Sequence, residues 1–164
     1  MKSLDELISG LELIGDFITE AEEKVILDEV PFSQETLAVC RNSVRRYGPQ
    51  RAYAGNTVSR ELPKSIKALC PKLGLPYVPT SITVNEYYAG QSLGLHIDEK
   101  LCGPIISVLS LVSEATMRFE KDGISHYIKL PARSLIHMKG DSRYKWKHGV
   151  EPLKAARMSI VFRK

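Results

Sequence analysis

The sequence is poor in the residues that define several protein classes on their own. Its 164 residues include only three cysteines, one tryptophan and four histidines. The cysteines are odd in number and widely spaced, with no CxxC pair. This argues against a disulfide framework and favours a reducing, intracellular compartment, cytoplasmic or nuclear. No apolar run approaches the ~18 residues of a membrane span, and the N-terminus lacks a signal-peptide core, so no membrane association is expected.

Repeats and low-complexity segments are also absent from the sequence. The composition, 43% hydrophobic and 26% charged residues, is that of an ordinary globular protein. A chain of this length buries roughly two thirds of the surface it exposes when unfolded. We therefore expect a single domain, residues 1–164, and a monomer.

The small net charge of +4 conceals an uneven distribution. Residues 1–35 contain ten acids, whereas residues 41–60 contain five arginines, two tyrosines and no acid. Positive charge interleaved with aromatic rings suits a phosphate backbone with bases available for stacking. A solvated basic surface explains the same charges equally well.

The order of secondary-structure signals predicts helices first and a β-domain after them. Thr19 with Glu22 forms a capping box that begins a helix, and a second helix is expected over residues 61–73. After Pro79, short β-branched or alternating runs are separated by turn residues, which is typical of an antiparallel sandwich or barrel. The predicted fold class is α+β, with N-terminal helices flanking a double-stranded β-helix, or jelly roll.

The stretch "NEYYAGQSLGLHID" contains a histidine two residues before an aspartate. Residues two apart in an extended chain point the same way, so His96 and Asp98 present an imidazole and a carboxylate to one spot. Two histidines with one carboxylate are the ligand set of non-haem Fe(II) oxygenases. The candidates for the third ligand are His126, His137 and His148. Alone, the HxD pair is most often structural.

The C-terminal stretch "RMSIVFR" places two arginines on one face of a strand. Arg157 and Arg163 are six residues apart, while the residues between them with the opposite parity are apolar. Buried arginines are costly unless an anion meets them, and a guanidinium fork matches a carboxylate. Asn85 and Tyr87 repeat the two-residue spacing upstream, with polar groups that also suit a carboxylate. An exposed edge strand with solvated arginines is the competing interpretation.

Taken together, these motifs resemble the AlkB family of Fe(II)- and 2-oxoglutarate-dependent dioxygenases over roughly residues 10–164. The stretches that carry the resemblance are "NEYYAGQSLGLHID", "IISVLSLVSEATMRF", "ARSLIHMKGDSRYKWKHGVEPLK" and "RMSIVFR". The third of these looks like the eukaryotic branch that includes tRNA-modifying members. One departure is Val112, which stands where such proteins often have glycine.

The resemblance implies a role for each motif residue. The iron ligands would be His96, Asp98 and His148, which leaves His126 and His137 as structural residues. The residues that hold 2-oxoglutarate would be Asn85, Tyr87, Arg157 and Arg163, with Arg157 on the distal carboxylate.

The same resemblance implies Fe(II), 2-oxoglutarate and O2 as cofactor and cosubstrates. It further implies oxidative demethylation or hydroxylation of alkylated bases in RNA or single-stranded DNA. The base would have to be flipped or already single-stranded to reach the site. The grip on nucleic acid would lie within residues 41–60: Arg45 and Arg46 on phosphates, Tyr47 or Tyr53 for stacking.

Two alternatives remain open at this point. A 2-oxoglutarate dioxygenase acting on protein side chains would have the same site. A catalytically idle nucleic-acid-binding module would have the same fold, but it would have no use for the complete set of iron and 2-oxoglutarate residues. The basic, aromatic segment favours nucleic acid over protein.

Overall fold

Ten described strands, eight of them after residue 80, form two antiparallel sheets that face each other. The computed structural model describes residues 3–33, 43–49 and 61–164. The larger sheet has the strand order β1-β8-β5-β10-β3-β2, and the smaller has β4-β9-β6-β7. Within the described ranges, no helix is long and apolar enough to cross a membrane. The predicted α+β fold with a jelly-roll core is confirmed.

The described elements have the following bounds. The helices are α1 (Leu4–Leu7), α2 (Glu20–Glu29), α3 (Lys64–Leu69) and α4 (Gly140–Tyr144). The strands are β1 (Leu11–Ile14), β2 (Ser43–Tyr47), β3 (Ser81–Tyr87), β4 (Leu93–His96), β5 (Ile106–Leu111), β6 (Ala115–Lys121), β7 (Ile124–Leu130), β8 (Leu135–Met138), β9 (Lys147–Val150) and β10 (Arg157–Arg163).

Local signals predict helix α2 and the region of α3, but not α1 or α4. At the start of α2 the Thr19 side chain accepts from the Glu22 amide, and the Glu22 carboxylate accepts from the Thr19 amide. Helix α3 continues as a 3-10 turn up to Gly74, whose φ of 67° is left-handed and favours glycine. The helix α1, which the sequence analysis did not anticipate, begins with a second capping box at Ser3.

Strand β10 lies in the centre of the larger sheet and separates two environments. It pairs with β3 on one side and β5 on the other, so the edge-strand interpretation is wrong. One face presents Met158, Ile160 and Phe162 to a fully buried core beneath α2 and α3. The other face, from Arg157 to Arg163, lines a cavity between the two sheets. The two-residue repeat of the sequence therefore predicts both faces correctly.

The turn after β5 contains a strained residue. Val112 has φ 77°, in the left-handed region that is an outlier for a β-branched side chain. Its amide donates to the buried Glu23 carboxylate of α2 at 2.7 Å, and the same carboxylate accepts from Arg133 at 3.0 Å. Glycine at this position would adopt the conformation without strain.

Candidate active site

Antiparallel pairing of β4 with β9 brings together the residues that the sequence analysis proposed as iron ligands. His96 lies directly opposite His148 in the register, and Asp98 follows two residues after β4 ends. One potential ligand atom from each of the three residues lies within 4.8 Å of the others. Over the described ranges, no other group of three such side chains comes together. His137 instead forms a hydrogen bond with Ser107, and the ring of His126 lies 5.5 Å from that of Trp146 in a tilted arrangement.

The imidazole of His96 is oriented by the backbone. Its Nδ1 lies 2.9 Å from the carbonyl oxygen of Gly94, which can only accept, so Nδ1 is the donor. Nε2 then faces the Asp98 carboxylate at 3.3 Å. The hydrogen bond with Asp98 raises the pKa of His96. Two electron-pair donors facing each other in this way need a cation between them, either a proton or a metal ion.

The carboxylate of Asp98 stays ionised because cationic groups surround it. Arg163 Nε donates to Asp98 Oδ2 at 3.1 Å, and Arg163 Nη1 donates to the Thr83 hydroxyl at 3.0 Å. Burial raises the pKa of Asp98, but the hydrogen bond with His96 and the charge of Arg163 outweigh it and hold that pKa well below its ordinary value. One carboxylate oxygen is thus fixed by Arg163 while the other faces the histidines.

The imidazole of His148 is the most enclosed of the three groups. It is 4% exposed, its ring centre lies 4.5 Å from that of His96, and Phe119 packs near it. Burial lowers its pKa to about 3, so the ring is neutral at physiological pH. A metal ligand must be deprotonated, and this environment provides a deprotonated imidazole.

A buried arginine stands at the other end of the same strand face. Arg157 is 1% exposed, donates to Ser110 Oγ at 2.8 Å and lies over the Tyr87 ring at 5.5 Å. Its Nε and Nη1 atoms are buried and have no hydrogen-bond partner within the described part of the chain. Burial lowers the pKa of Arg157 and raises that of Tyr87. Unpaired guanidinium N–H groups in a buried site fit an anionic ligand.

The cavity that joins these groups has a volume of about 610 Å³ and is lined by both sheets. Its wall includes Asn85, which lies opposite Ser159 in the β3–β10 pairing. The three clustered side chains and Arg163 are at one end of strand β10, and Arg157 is at the other. This is room enough for a small dicarboxylate between the cluster and Arg157, with space left for a substrate group.

The predicted substrate-binding residues of β2 point to opposite faces of the strand. Arg46 lines the cavity, whereas its neighbours Arg45 and Tyr47 point to the opposite face of β2. Arg45 donates to the buried Glu86 carboxylate and to the Pro31 carbonyl, so its guanidinium does not reach out to a phosphate.

Tyr47 packs in the core at 7% exposure and does not offer its ring for stacking. In the structure both side chains serve the fold, which argues against the predicted roles of Arg45 and Tyr47 as nucleic-acid contacts. Tyr53 lies outside the described residues.

Sequence reasoning missed the partners of the two arginines. Ser110 holds Arg157, and Thr83 holds Arg163. Both are small hydroxyl residues on the same parity as the other cavity residues of β5 and β3. Ser110 interrupts an otherwise apolar face of β5, which is a signal that could have identified it. Thr83 lies on a face of β3 that is polar throughout, so it carries no such signal.

A jelly roll that carries two histidines and one carboxylate at its cavity, beside a buried arginine, defines the class of non-haem iron oxygenases. The sequence profile of the 2OG-Fe(II) oxygenase superfamily matches residues 12–163. The chain belongs to this superfamily and resembles its AlkB-like members, in agreement with the resemblance of the sequence motifs. Its residues fit Fe(II), through the three-ligand cluster, and 2-oxoglutarate, through the unpaired N–H groups of Arg157.

Similar proteins place the chain among AlkB homologues. It is 31% identical to mouse tRNA (carboxymethyluridine(34)-5-O)-methyltransferase ALKBH8 over 92% of this chain and 26% of that protein. It is 26% identical to a Caenorhabditis elegans DNA N6-methyl adenine demethylase over 95% of this chain and 60% of that protein. The solved structure of OsALKBH1 superposes with a TM-score of 0.67 at 17% identity, covering 94% of this chain and 98% of that one, which shows the shared fold.

Proposed function

We propose that the chain is an Fe(II)- and 2-oxoglutarate-dependent dioxygenase that oxidatively demethylates or hydroxylates alkylated bases in RNA or single-stranded DNA. The observation that carries the proposal is the convergence of His96, Asp98 and His148 on the cavity that also contains Arg157. In the proposed enzyme, these three residues bind Fe(II). We further propose that residues 1–164 form one domain that acts as a monomer in the cytoplasm or nucleus.

The arginines and their neighbours orient the cosubstrate. Arg157 receives the distal carboxylate of 2-oxoglutarate through Nε and Nη1, while Ser110 and the Tyr87 ring keep the guanidinium in place. Arg163 holds Asp98 in its ionised form and lies at the other end of the site. Asn85 contributes a polar side chain to the cavity wall. The apolar wall residues exclude water from this space.

When bound, Fe(II) and 2-oxoglutarate supply, with O2, the oxidation of a C–H bond, and 2-oxoglutarate leaves as succinate and CO2. A hydroxylated N-methyl group then breaks down to formaldehyde and the free amine. The protein contributes by holding three metal ligands in fixed protonation states. His148 is kept neutral by burial, and Asp98 is kept anionic by His96 and Arg163.

Three observations support nucleic acid as the substrate. The mouse relative is named as a tRNA enzyme and the worm relative as a DNA demethylase. Cationic side chains line the cavity beyond the metal cluster, from Arg46 on β2 and Lys164 after β10. The chain carries a net positive charge, which favours a polyanion. Because this chain spans only 26% of the mouse protein, the methyltransferase named for that protein is not carried over.

The test is anaerobic loading with Fe(II) and 2-oxoglutarate, followed by O2 and matched oligonucleotides with and without N-methylated bases. The proposal predicts succinate together with formaldehyde only when the methylated strand is present, and neither from Asp98→Ala. Succinate without formaldehyde would support the iron site but would indicate hydroxylation in place of demethylation. The substrates would then include protein side chains. Absence of both products with bound metal confirmed would refute the enzymatic role and leave a binding module.

The nucleic-acid part can be tested separately by binding. Association with single-stranded oligonucleotide should weaken steeply as salt rises from 50 to 200 mM, since each neutralised phosphate contributes about 0.9 (~0.7 for single strands) to the log–log slope. Arg46→Gln should reduce that slope, whereas Arg45→Gln should leave it unchanged and lower stability instead, because Arg45 contacts Glu86. Equal slopes for both variants would contradict the placement of Arg46 at the interface.

A further inference from the structure

Arg143 is a fully buried cation whose hydrogen bonds all go to one loop. It lies in the short helix α4 and is 0% exposed. Its Nη1 donates to the Asp98 carbonyl at 2.8 Å, its Nη2 to the Glu99 carbonyl at 2.6 Å, and its Nε to the Gly103 carbonyl at 3.1 Å. The three acceptors span the loop that begins at the proposed iron ligand Asp98.

Among the described residues, this guanidinium forms no ion pair with a carboxylate, although burying a cation without a counter-charge is costly. Neutral carbonyl oxygens accept from its donors instead, and the guanidinium lies over the Tyr144 ring at 4.8 Å. Most buried arginines that serve stability alone pair with an acid. In return, the three bonds of Arg143 hold the backbone of the loop at Asp98, Glu99 and Gly103.

Helix α4 lies next to the strand that contains the third proposed iron ligand. Helix α4 ends three residues before β9, the strand that contains His148. Its own place is fixed from the other side, because the amide of Ser142 donates to the Ser9 carbonyl and that of Lys139 to the Gly10 carbonyl. Arg143 thus connects the backbone that carries Asp98 to the segment that carries His148. Strand pairing already aligns His96 with His148, but Asp98 lies beyond the end of β4.

We propose that Arg143 is a positioning residue that sets the distance and orientation of Asp98 relative to His148, so that the metal site is preformed. The inference rests on the proposed metal roles of these two residues. Three hydrogen bonds to consecutive parts of one loop restrict it far more than one would. Groups that hydrogen-bond to metal ligands and orient them commonly change metal affinity by about 10- to 100-fold when replaced, and Arg143 bonds to the backbone carbonyl of Asp98.

The variants separate hydrogen bonding from charge. Arg143→Lys retains the cation but replaces the planar fork by a point charge, and Arg143→Met retains the apolar stem alone. The matched control is Arg118→Lys, since Arg118 lies opposite Gly149 in the β6–β9 pairing and yet is partly exposed and bound to Glu120. The control applies the same chemical change beside the His148 strand without touching the loop.

The readouts are the anaerobic dissociation constant for Fe(II), the visible spectrum of the Co(II)-loaded protein, and the melting temperature. We expect both Arg143 variants to bind Fe(II) at least ~10-fold more weakly, with an altered Co(II) spectrum, and Arg118→Lys to match the wild type. Arg143→Lys keeps the experiment informative if Arg143→Met does not fold.

Two results would overturn the inference. The first is a wild-type Fe(II) constant and Co(II) spectrum in folded Arg143→Lys. The second is a large fall in melting temperature with metal affinity per folded molecule unchanged, because that is the behaviour of a residue that only fills space. If the wild-type protein itself binds no Fe(II), the proposed function fails first, which is distinguishable because it does not depend on any variant.

Discussion

Replacing Arg157 by methionine should weaken ligand binding strongly and leave the stability of the ligand-free protein nearly unchanged. Arg157 is 1% exposed, and two of its N–H groups have no partner among the described residues. Without an anion, the folded protein bears the cost of a buried, incompletely bonded cation. Methionine is unbranched and fills similar space without that cost.

The expected magnitudes follow from these contacts. Each hydrogen bond to a charged group contributes about 1.5–3 kcal/mol, so losing two raises the dissociation constant of 2-oxoglutarate at least ~100-fold. In the ligand-free protein, the variant loses the bond to Ser110 Oγ and the contact with the Tyr87 ring. Relief of the buried charge is of similar size, so the net change in unfolding free energy should be about zero.

The assay is thermal unfolding with Mn(II) as a redox-inert metal, with and without 2-oxoglutarate. At 100 times the wild-type dissociation constant, the ligand should stabilise the wild type by about 2.7 kcal/mol, or ~5–10 °C. The variant should shift by only ~1 °C, because the same concentration then about equals its dissociation constant. Arg118→Met is the matched control and should retain the full shift. A variant that melts more than ~10 °C lower without ligand, yet keeps the shift, would refute the reasoning.

Three further outcomes are expected. His96→Ala should abolish turnover and move the melting temperature by no more than ~2 °C, since the ring is 36% exposed; unfolding would contradict its role as a ligand. Val112→Gly should raise stability by about 1 kcal/mol by relieving its φ of 77°, and a lower melting temperature would argue against strain. Glu22 has its pKa lowered to about 2 by hydrogen bonds from Lys72 and Thr19. The stabilisation that ionised Glu22 provides is complete above pH ~4.5 and is lost as pH falls towards 2. The unfolding free energies of Glu22→Gln and the wild type, measured with urea, should therefore converge over that range.

The parts of the site that depend on local geometry could be predicted from the sequence. The HxD spacing puts His96 and Asp98 on one spot, and the parity of β10 separates Arg157 and Arg163 from the apolar core residues. The third ligand is different. His148 faces His96 only because β4 pairs with β9, a contact between strands some fifty residues apart. Spacing alone left three histidines open, and the family resemblance selected among them.

Other features depend on contacts that no local pattern contains. Adjacent arginines in β2 must point to opposite faces, but which one faces the cavity is decided by Glu86 of β3, which binds Arg45. Arg143 looks like one more surface cation in a basic stretch, and only the tertiary structure shows three carbonyls converging on it. The strain at Val112 is likewise invisible until the turn it occupies is known.

The two-faced strand β10 also constrains how such a protein can change over generations. Its alternate residues serve the core and the cavity, so inserting or deleting one residue would exchange the two sets and destroy both at once. Point substitution is the only route open to this strand. Strand β2 lies at the other extreme, at the edge of the larger sheet among the described strands, with Arg46 towards the cavity. Preference for a new substrate can therefore evolve at the sheet edge while the chemistry at its centre is inherited unchanged.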